Sequence, residues 1–279
     1  MATAYPTNNP PSYGAVPNKP YRDEESDHSE PLLVSSGAGP SNSNAIYNQA
    51  DDLPDDFKYG VNVESSAIEV RQAFVRKVYS ILFAQIVATA IVGGTLSQSV
   101  SAISWIQNHV WAFYIPLFGS LVALGFLYWK RHSFPTNFIL LSLFTVMEAV
   151  TLGVAVAFYN NVIVLQALLI TIGVFLGLTL FTFQSKYDFS GMAPFLFGGL
   201  MALVATGLVG IFIPFSRTID LVYAAGGCLI FSGYVVYDTY VINKKLSPDE
   251  YIMGAISLYL DFINLFLSIL RVLNNVSER

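Results

Sequence analysis

From residue 78 onward the chain alternates long apolar runs with short polar breaks, and each run approaches the ~20 residues a helix needs to cross about 30 Å of hydrocarbon. The pattern predicts spans over 78–97, 109–129, 138–158, 162–183, 193–213, 219–241 and 252–272. The seventh run is the most polar, because it holds Asp261, Asn264 and Arg271. It reads either as a full crossing or as a re-entrant segment. Residues 1–70 follow a different pattern, rich in Pro, Ser, Asn, Gly and acids with few clustered apolar positions. Such a stretch cannot bury enough surface to offset the entropy of ordering, so a disordered tail is expected there. The expected fold is therefore an all-α membrane protein, a seven-transmembrane-helix bundle over 71–279 behind an N-terminal tail.

Composition agrees with that pattern: 54% of residues are hydrophobic and 12% are charged, against roughly 25% charged in a soluble domain. The net charge of −5 describes the tail, where Asp23, Glu24, Glu25, Asp27, Glu30, Asp51, Asp52, Asp55 and Asp56 gather. No basic surface for nucleic acid is visible. The one cysteine, Cys228, lies inside an apolar run and reads as a packing residue.

Cations set the expected orientation, since short cytoplasmic loops carry the excess of Lys and Arg. Arg71, Arg76 and Lys77 precede the first span, Lys130 and Arg131 follow the second, Lys186 the fourth, and Lys244 and Lys245 the sixth. The alternate loops, 98–108, 159–161 and 214–218, hold only Arg217. The N-terminus is thus expected in the cytosol. The first residues lack the charged flank and apolar core of a signal peptide, so the first span is expected to direct insertion. Small residues mark expected helix seams: Gly173 and Gly177, and a four-spaced ladder of Gly198, Ala202, Thr206 and Gly210. Pro116 interrupts the second span and marks a candidate pivot.

Three acids fall inside the spans: Glu148 in the third, Asp238 near the end of the sixth and Asp261 mid-way along the seventh. A carboxylate in a spanning helix costs roughly 2.5–3.5 kcal/mol on insertion scales, so two on sequential helices are expected to face each other rather than lipid. Asn264 is three residues from Asp261 and shares its face. Two carboxyls in low-dielectric contact share one proton and titrate as a unit. From the residues alone, such a pair is a pH sensor, a hydrolytic dyad, a metal site or a helix clasp. Glu148 is a candidate for the ion path or for a structural hydrogen bond. No zinc pattern exists around His28, His109 and His132, and no phosphate loop, dinucleotide turn or nucleophile elbow is present, so no enzymatic activity and no tightly bound cofactor are expected. In the tail, Pro10-Pro11-Ser12-Tyr13 matches the ligand of WW domains, which grip a preformed polyproline helix, and a WW-domain partner of the ubiquitin-ligase type is the corresponding expectation.

Four segments carry a family resemblance: 71–82 at the first span, 144–153 around Glu148, Tyr234-Val235-Val236-Tyr237-Asp238-Thr239, and Ser257-Leu258-Tyr259-Leu260-Asp261-Phe262-Ile263-Asn264-Leu265-Phe266. Over residue 68 to the end the chain resembles the transmembrane Bax-inhibitor-motif family, in its Lifeguard branch. The resemblance implies a seven-helix fold in an internal membrane, endoplasmic reticulum or vacuole and Golgi, in which Asp238 and Asp261 sense pH and control a calcium leak. Calcium would then be the permeant or regulatory ion, with the two aspartates as its possible ligands and protons as the controlling species. It also implies a basic latch on the sixth-span aspartate, matched by Arg131 with Lys130 as the neighbouring register, and a link to cell death and endoplasmic-reticulum stress. A non-conducting scaffold acting through partners is the alternative. An intramembrane aspartyl protease is a lesser one, because neither Gly-x-Gly-Asp at the second acid nor a downstream Pro-Ala-Leu occurs.

Overall fold

A computed structural model describes residues 62–109 and 111–277; the Pro-Pro-x-Tyr motif lies outside them. Eight α-helices are present among the described residues: α1 (Ile68–Gln98), α2 (Val100–Asn108), α3 (Trp111–Trp129), α4 (Thr136–Val156), α5 (Asn161–Gln184), α6 (Ala193–Phe212), α7 (Arg217–Lys244) and α8 (Tyr251–Ser277). All but α2 belong to stretches long and apolar enough to cross a membrane, which gives the seven spans of an integral membrane protein. The short α2, read from sequence as loop, is started by Ser99, whose hydroxyl accepts from the Ala102 N–H at 3.3 Å. It is held by buried Ile106.

The seventh span is the centre of the fold. In it 67% of the most apolar stretch is buried, against 39% or less in every other span. α8 runs unbroken for 27 residues, about 40 Å at 1.5 Å per residue, so the re-entrant alternative does not hold. Its polarity is explained by its position: a helix enclosed by α1, α5 and α7 meets protein rather than lipid, and the acid, amide and guanidinium it carries find protein neighbours. The outer helices are inverted in character, with Phe118 and Leu121 on α3 and Leu165 and Leu169 on α5 exposed where acyl chains would lie. α3 is held chiefly by α4, and α6 chiefly by α7.

The expected small-residue seams fall elsewhere. A Cβ at Gly173, Gly177 or Gly198 would meet nothing within 4 Å, and at Gly210 it would meet the Phe215 ring of the following loop, not a helix. The close backbone approach joins α1 to α4 at Gly93 and Gly153, where a Cβ on Gly153 would stand 2.9 Å from the Gly93 Cα. Each lies in a four-spaced run of small residues of its own, Thr89, Gly93 and Ser97 on α1 and Thr145, Ala149 and Gly153 on α4, so the spacing signal was present, while which run meets which is a cross-helix pairing that one helix's pattern does not carry.

The first span starts earlier than the hydrophobic pattern indicates, at Ile68 rather than 78. Residues 62–67, read with the tail, belong to the bundle: Val63 is fully buried, its N–H donates to the Leu246 carbonyl at 2.9 Å, and Glu64 is paired with Lys244. Arg71 donates to the Asn243 side chain at 3.0 and 3.2 Å, and Lys77 sits 3.3 Å from the centre of the Tyr251 ring. These contacts gather the cations at one end of the bundle, called here the basic end.

A second clasp at that end joins the α5–α6 connection to α7. The Tyr240 hydroxyl donates to Asp188 Oδ1 at 2.6 Å, and the Ser190 N–H donates to the same oxygen at 2.8 Å. These bonds, Tyr240 foremost, with the charge of the nearby Lys245 contributing last, hold the Asp188 carboxyl down to about 2. A lowered native value stabilises fully above the unfolded value near 4 and is lost as pH falls toward about 2. The clasp is therefore indifferent to pH between about 5 and 8, and Asp188→Asn is expected to leave any pH response in that window unchanged. Comparing flux profiles of the two proteins checks it.

Candidate functional site

α7 and α8 run antiparallel, and their pairing places Asp238 opposite Asp261. The two carboxyls are close enough to interact directly, and the Ser257 side chain lies beside Asp238. Asp261 is 6% exposed, and its Oδ2 is buried without a hydrogen-bond partner; Asp238 is partly buried. A buried carboxylate oxygen left unpaired is costly. A proton shared between the two acids makes one a donor to the other and removes most of that cost. Full ionisation of both would put two like charges in contact inside an apolar bundle.

Sequence reasoning placed both aspartates but missed two of their neighbours. Ser257 and Tyr234 each stand four residues before one of the acids, hence one turn away on the same face. Tyr234 lies within electrostatic reach of both carboxyls. The i−4 spacing was the available signal.

The other candidates separate from the pair. Glu148, on α4, is faced by Ser120 of α3 and belongs to a second polar centre. There the Gln85 amide donates to Thr145 Oγ1 at 3.0 Å, and Thr89 and Tyr259 share a 2.8 Å hydroxyl contact. Asn264 turns back on its own helix, donating to the Leu260 carbonyl at 2.8 Å, and faces a cleft rather than the carboxyls. Arg131 does not touch Asp238. Its Nη2 meets Glu250 Oε1 at 3.6 Å, its Nε donates to His132 Nε2 at 2.9 Å, and it lies 4.8 Å from the Tyr128 ring centre. The other Glu250 oxygen accepts from the Ser247 N–H at 3.4 Å, which makes that acid both the cap before α8 and the anchor of α3. Lys130 lies over the Trp129 ring at 5.2 Å, so the expected latch is made by neither residue in this arrangement.

Two carboxyls and one hydroxyl fall short of the roughly six to eight oxygens of a resident calcium site. Among the described residues no three metal-ligating side chains cluster.

A helical membrane bundle whose central helix meets its neighbour through a pair of aspartates defines the class: an integral membrane protein with ionisable groups at its helix interfaces. The family described as "Inhibitor of apoptosis-promoting Bax1" matches residues 71–278. Among relatives, "Bax inhibitor 1" of Schizosaccharomyces pombe is 46% identical over 219 residues, covering 78% of this chain and 82% of that protein. "Golgi anti-apoptotic protein" of vaccinia virus strain Lister is 41% identical over 221 residues, covering 79% and 93%. "Protein lifeguard 4" of Mus musculus is 40% identical over 227 residues, covering 81% and 95%. The chain belongs to the Bax-inhibitor family that includes the Lifeguard proteins.

Proposed function

We propose that the chain is a pH-responsive calcium leak of an internal membrane, with Asp238 and Asp261 as its proton sensor, and that it restrains cell death through that leak. The observation that carries the reading is the contact between the two carboxyls, with one buried oxygen lacking any donor from the protein. Such a contact has one proton too many or one too few for indifference to pH, and it lies on the interface between the central helix and its principal neighbour. Gain or loss of that proton changes the preferred spacing of α7 and α8. α3 is the moving part in this reading, because α4 alone holds most of it and Pro116 lies within it. Arg131 then exchanges Glu250 for Asp238 as the pair ionises. The names of the relatives support the cell-death role and an internal membrane, and the gathering of cations at one end supports a cytosolic basic end.

Purified protein in liposomes loaded with a calcium indicator tests it. Calcium release that varies with pH and is absent from empty liposomes is expected. Vesicles that stay sealed to calcium at every pH would leave a non-conducting scaffold in its place.

A further inference from the structure

We propose that the groove between α1 and α5, in the leaflet opposite the basic end, is a binding site for one acyl chain of a diacyl phospholipid, with the amides at its lip meeting the lipid's ester carbonyls. The site stands or falls independently of calcium release.

The space follows from how the helices pack. α1 and α5 each lie against α8 but hardly touch one another, so a gap open to the bilayer runs between them. α8 forms its floor through Phe262, Ile263 and Phe266, and the gap holds about 390 Å³. Its rims, Ala90 of α1 and Leu165 of α5, are exposed. On α1 it extends from Ile86 to Gln98, twelve residues or about 18 Å at 1.5 Å per residue. One leaflet contributes about 15 Å of hydrocarbon, so the groove runs the depth of a leaflet and ends at its surface.

The chemistry is graded along that depth. Ser97, Gln98 and Asn161 lie together at the outer end. The polar residue deeper down, Thr89, is engaged with the Tyr259 hydroxyl at 2.8 Å, and among the described residues no charged side chain lines the groove. Water in the apolar stretch would lack the two to four polar partners it needs, and a vacant groove would forfeit dispersion contacts along three helices. Hydrocarbon from the surrounding leaflet meets both conditions. The wall steps from the Phe262 and Phe266 side chains to bare backbone at Gly94, where a Cβ would meet nothing within 4 Å. A flexible chain follows that step, whereas the rigid rings of a sterol need a flat wall. At the lip the Ser97 hydroxyl donates to the Gly94 carbonyl at 3.0 Å, which leaves the Gln98 and Asn161 amides to donate to ester carbonyls at the edge of the hydrocarbon.

Photolabelling of the full-length protein in phosphatidylcholine liposomes tests the site. The probe is a phosphatidylcholine with a diazirine midway along one acyl chain, and labelled residues are mapped by mass spectrometry. Phe262 and Phe266 decide the matter, because they are buried and lipids surrounding the outer helices do not reach them. Label on that floor is expected, reduced about tenfold in Gly94→Leu and in Leu165→Trp and unchanged in lipid-facing Leu121→Trp. The two groove-filling variants lie on different helices, so misfolding of one, seen by size exclusion, leaves the other. A floor left unlabelled in the unsubstituted protein, or labelled undiminished in a folded groove-filling variant, overturns the site. A photoreactive sterol that labels the same floor and displaces the acyl probe overturns the acyl chain as its occupant. Probes with choline and serine headgroups are expected to label the floor equally, since no charge lines the groove; a marked preference for serine would place recognition in the headgroup and overturn the proposal.

Discussion

In liposomes, Asp261→Asn and Asp238→Asn are each expected to release calcium at a rate that no longer varies between about pH 5 and 8, while remaining folded. An amide has the volume of the carboxyl it replaces and cannot ionise. From position 238 it can also donate to Asp261, whose buried oxygen otherwise has no donor, and from position 261 it can donate to Asp238. A one-unit displacement in the titration of the pair corresponds to about 1.4 kcal/mol, enough to alter a two-state population tenfold when the states lie within a few kcal/mol. Removing the titration removes that lever. The flux profiles of the two variants, set beside circular dichroism for folding, decide the matter. Should either variant keep the wild-type profile, the carboxyls are a helix clasp and the sensor lies elsewhere. Asp188→Asn is the matched comparison, since its carboxyl already titrates near 2 and has no proton to exchange in that range.

The second large effect concerns the fold. Gly153→Leu is expected to abolish recovery of folded, monodisperse protein, because a Cβ at that position already stands 2.9 Å from the Gly93 Cα and carbonyl oxygen. Backbone, unlike a flexible side chain, cannot turn aside, so α1 and α4 must part. Overpacking in a close-packed interior costs about 1–3 kcal/mol even for modest insertions, and a leucine on a backbone contact exceeds them. Gly94→Leu, one residue from Gly93 with nothing within 4 Å of its Cβ, is expected to be tolerated. Size-exclusion profiles and thermal unfolding of the two proteins in detergent give the comparison; equal behaviour would mean that α1 and α4 slide freely.

That contrast shows where the sequence was legible. The seven spans and the aspartate pair follow from run length and from the cost of a charge in lipid, both of which each helix carries in its own residues. Which glycine meets which does not follow, because Gly94, Gly173 and Gly177 look as suitable as Gly93 and Gly153 until the helices are placed beside one another. The same limit applies to Arg131. Its position after the second span was readable, whereas its choice of Glu250 over Asp238 depends on where α3 rests against the start of α8. The span that looked least secure, α8, is the most buried, since polarity that argues against lipid contact argues for a central place.

The central place of α8 also orders the protein's biogenesis. Every helix that packs around α8 is made before it, so during synthesis the six spans α1 and α3 to α7 occupy the bilayer around a vacancy that only the segment from Tyr251 onward fills. Until then Asp238 has no partner acid, and the faces of α1, α5 and α7 that α8 will cover meet lipid or the insertion machinery. α8, with an acid, an amide and a guanidinium along one side, partitions poorly as a lone helix and enters best into the groove prepared for it. A chain stopped before Tyr251 therefore retains six apolar spans and the packing of α4 against α1 and α3, but lacks the Ile252–Leu270 part of the core and leaves Asp238 without its partner acid.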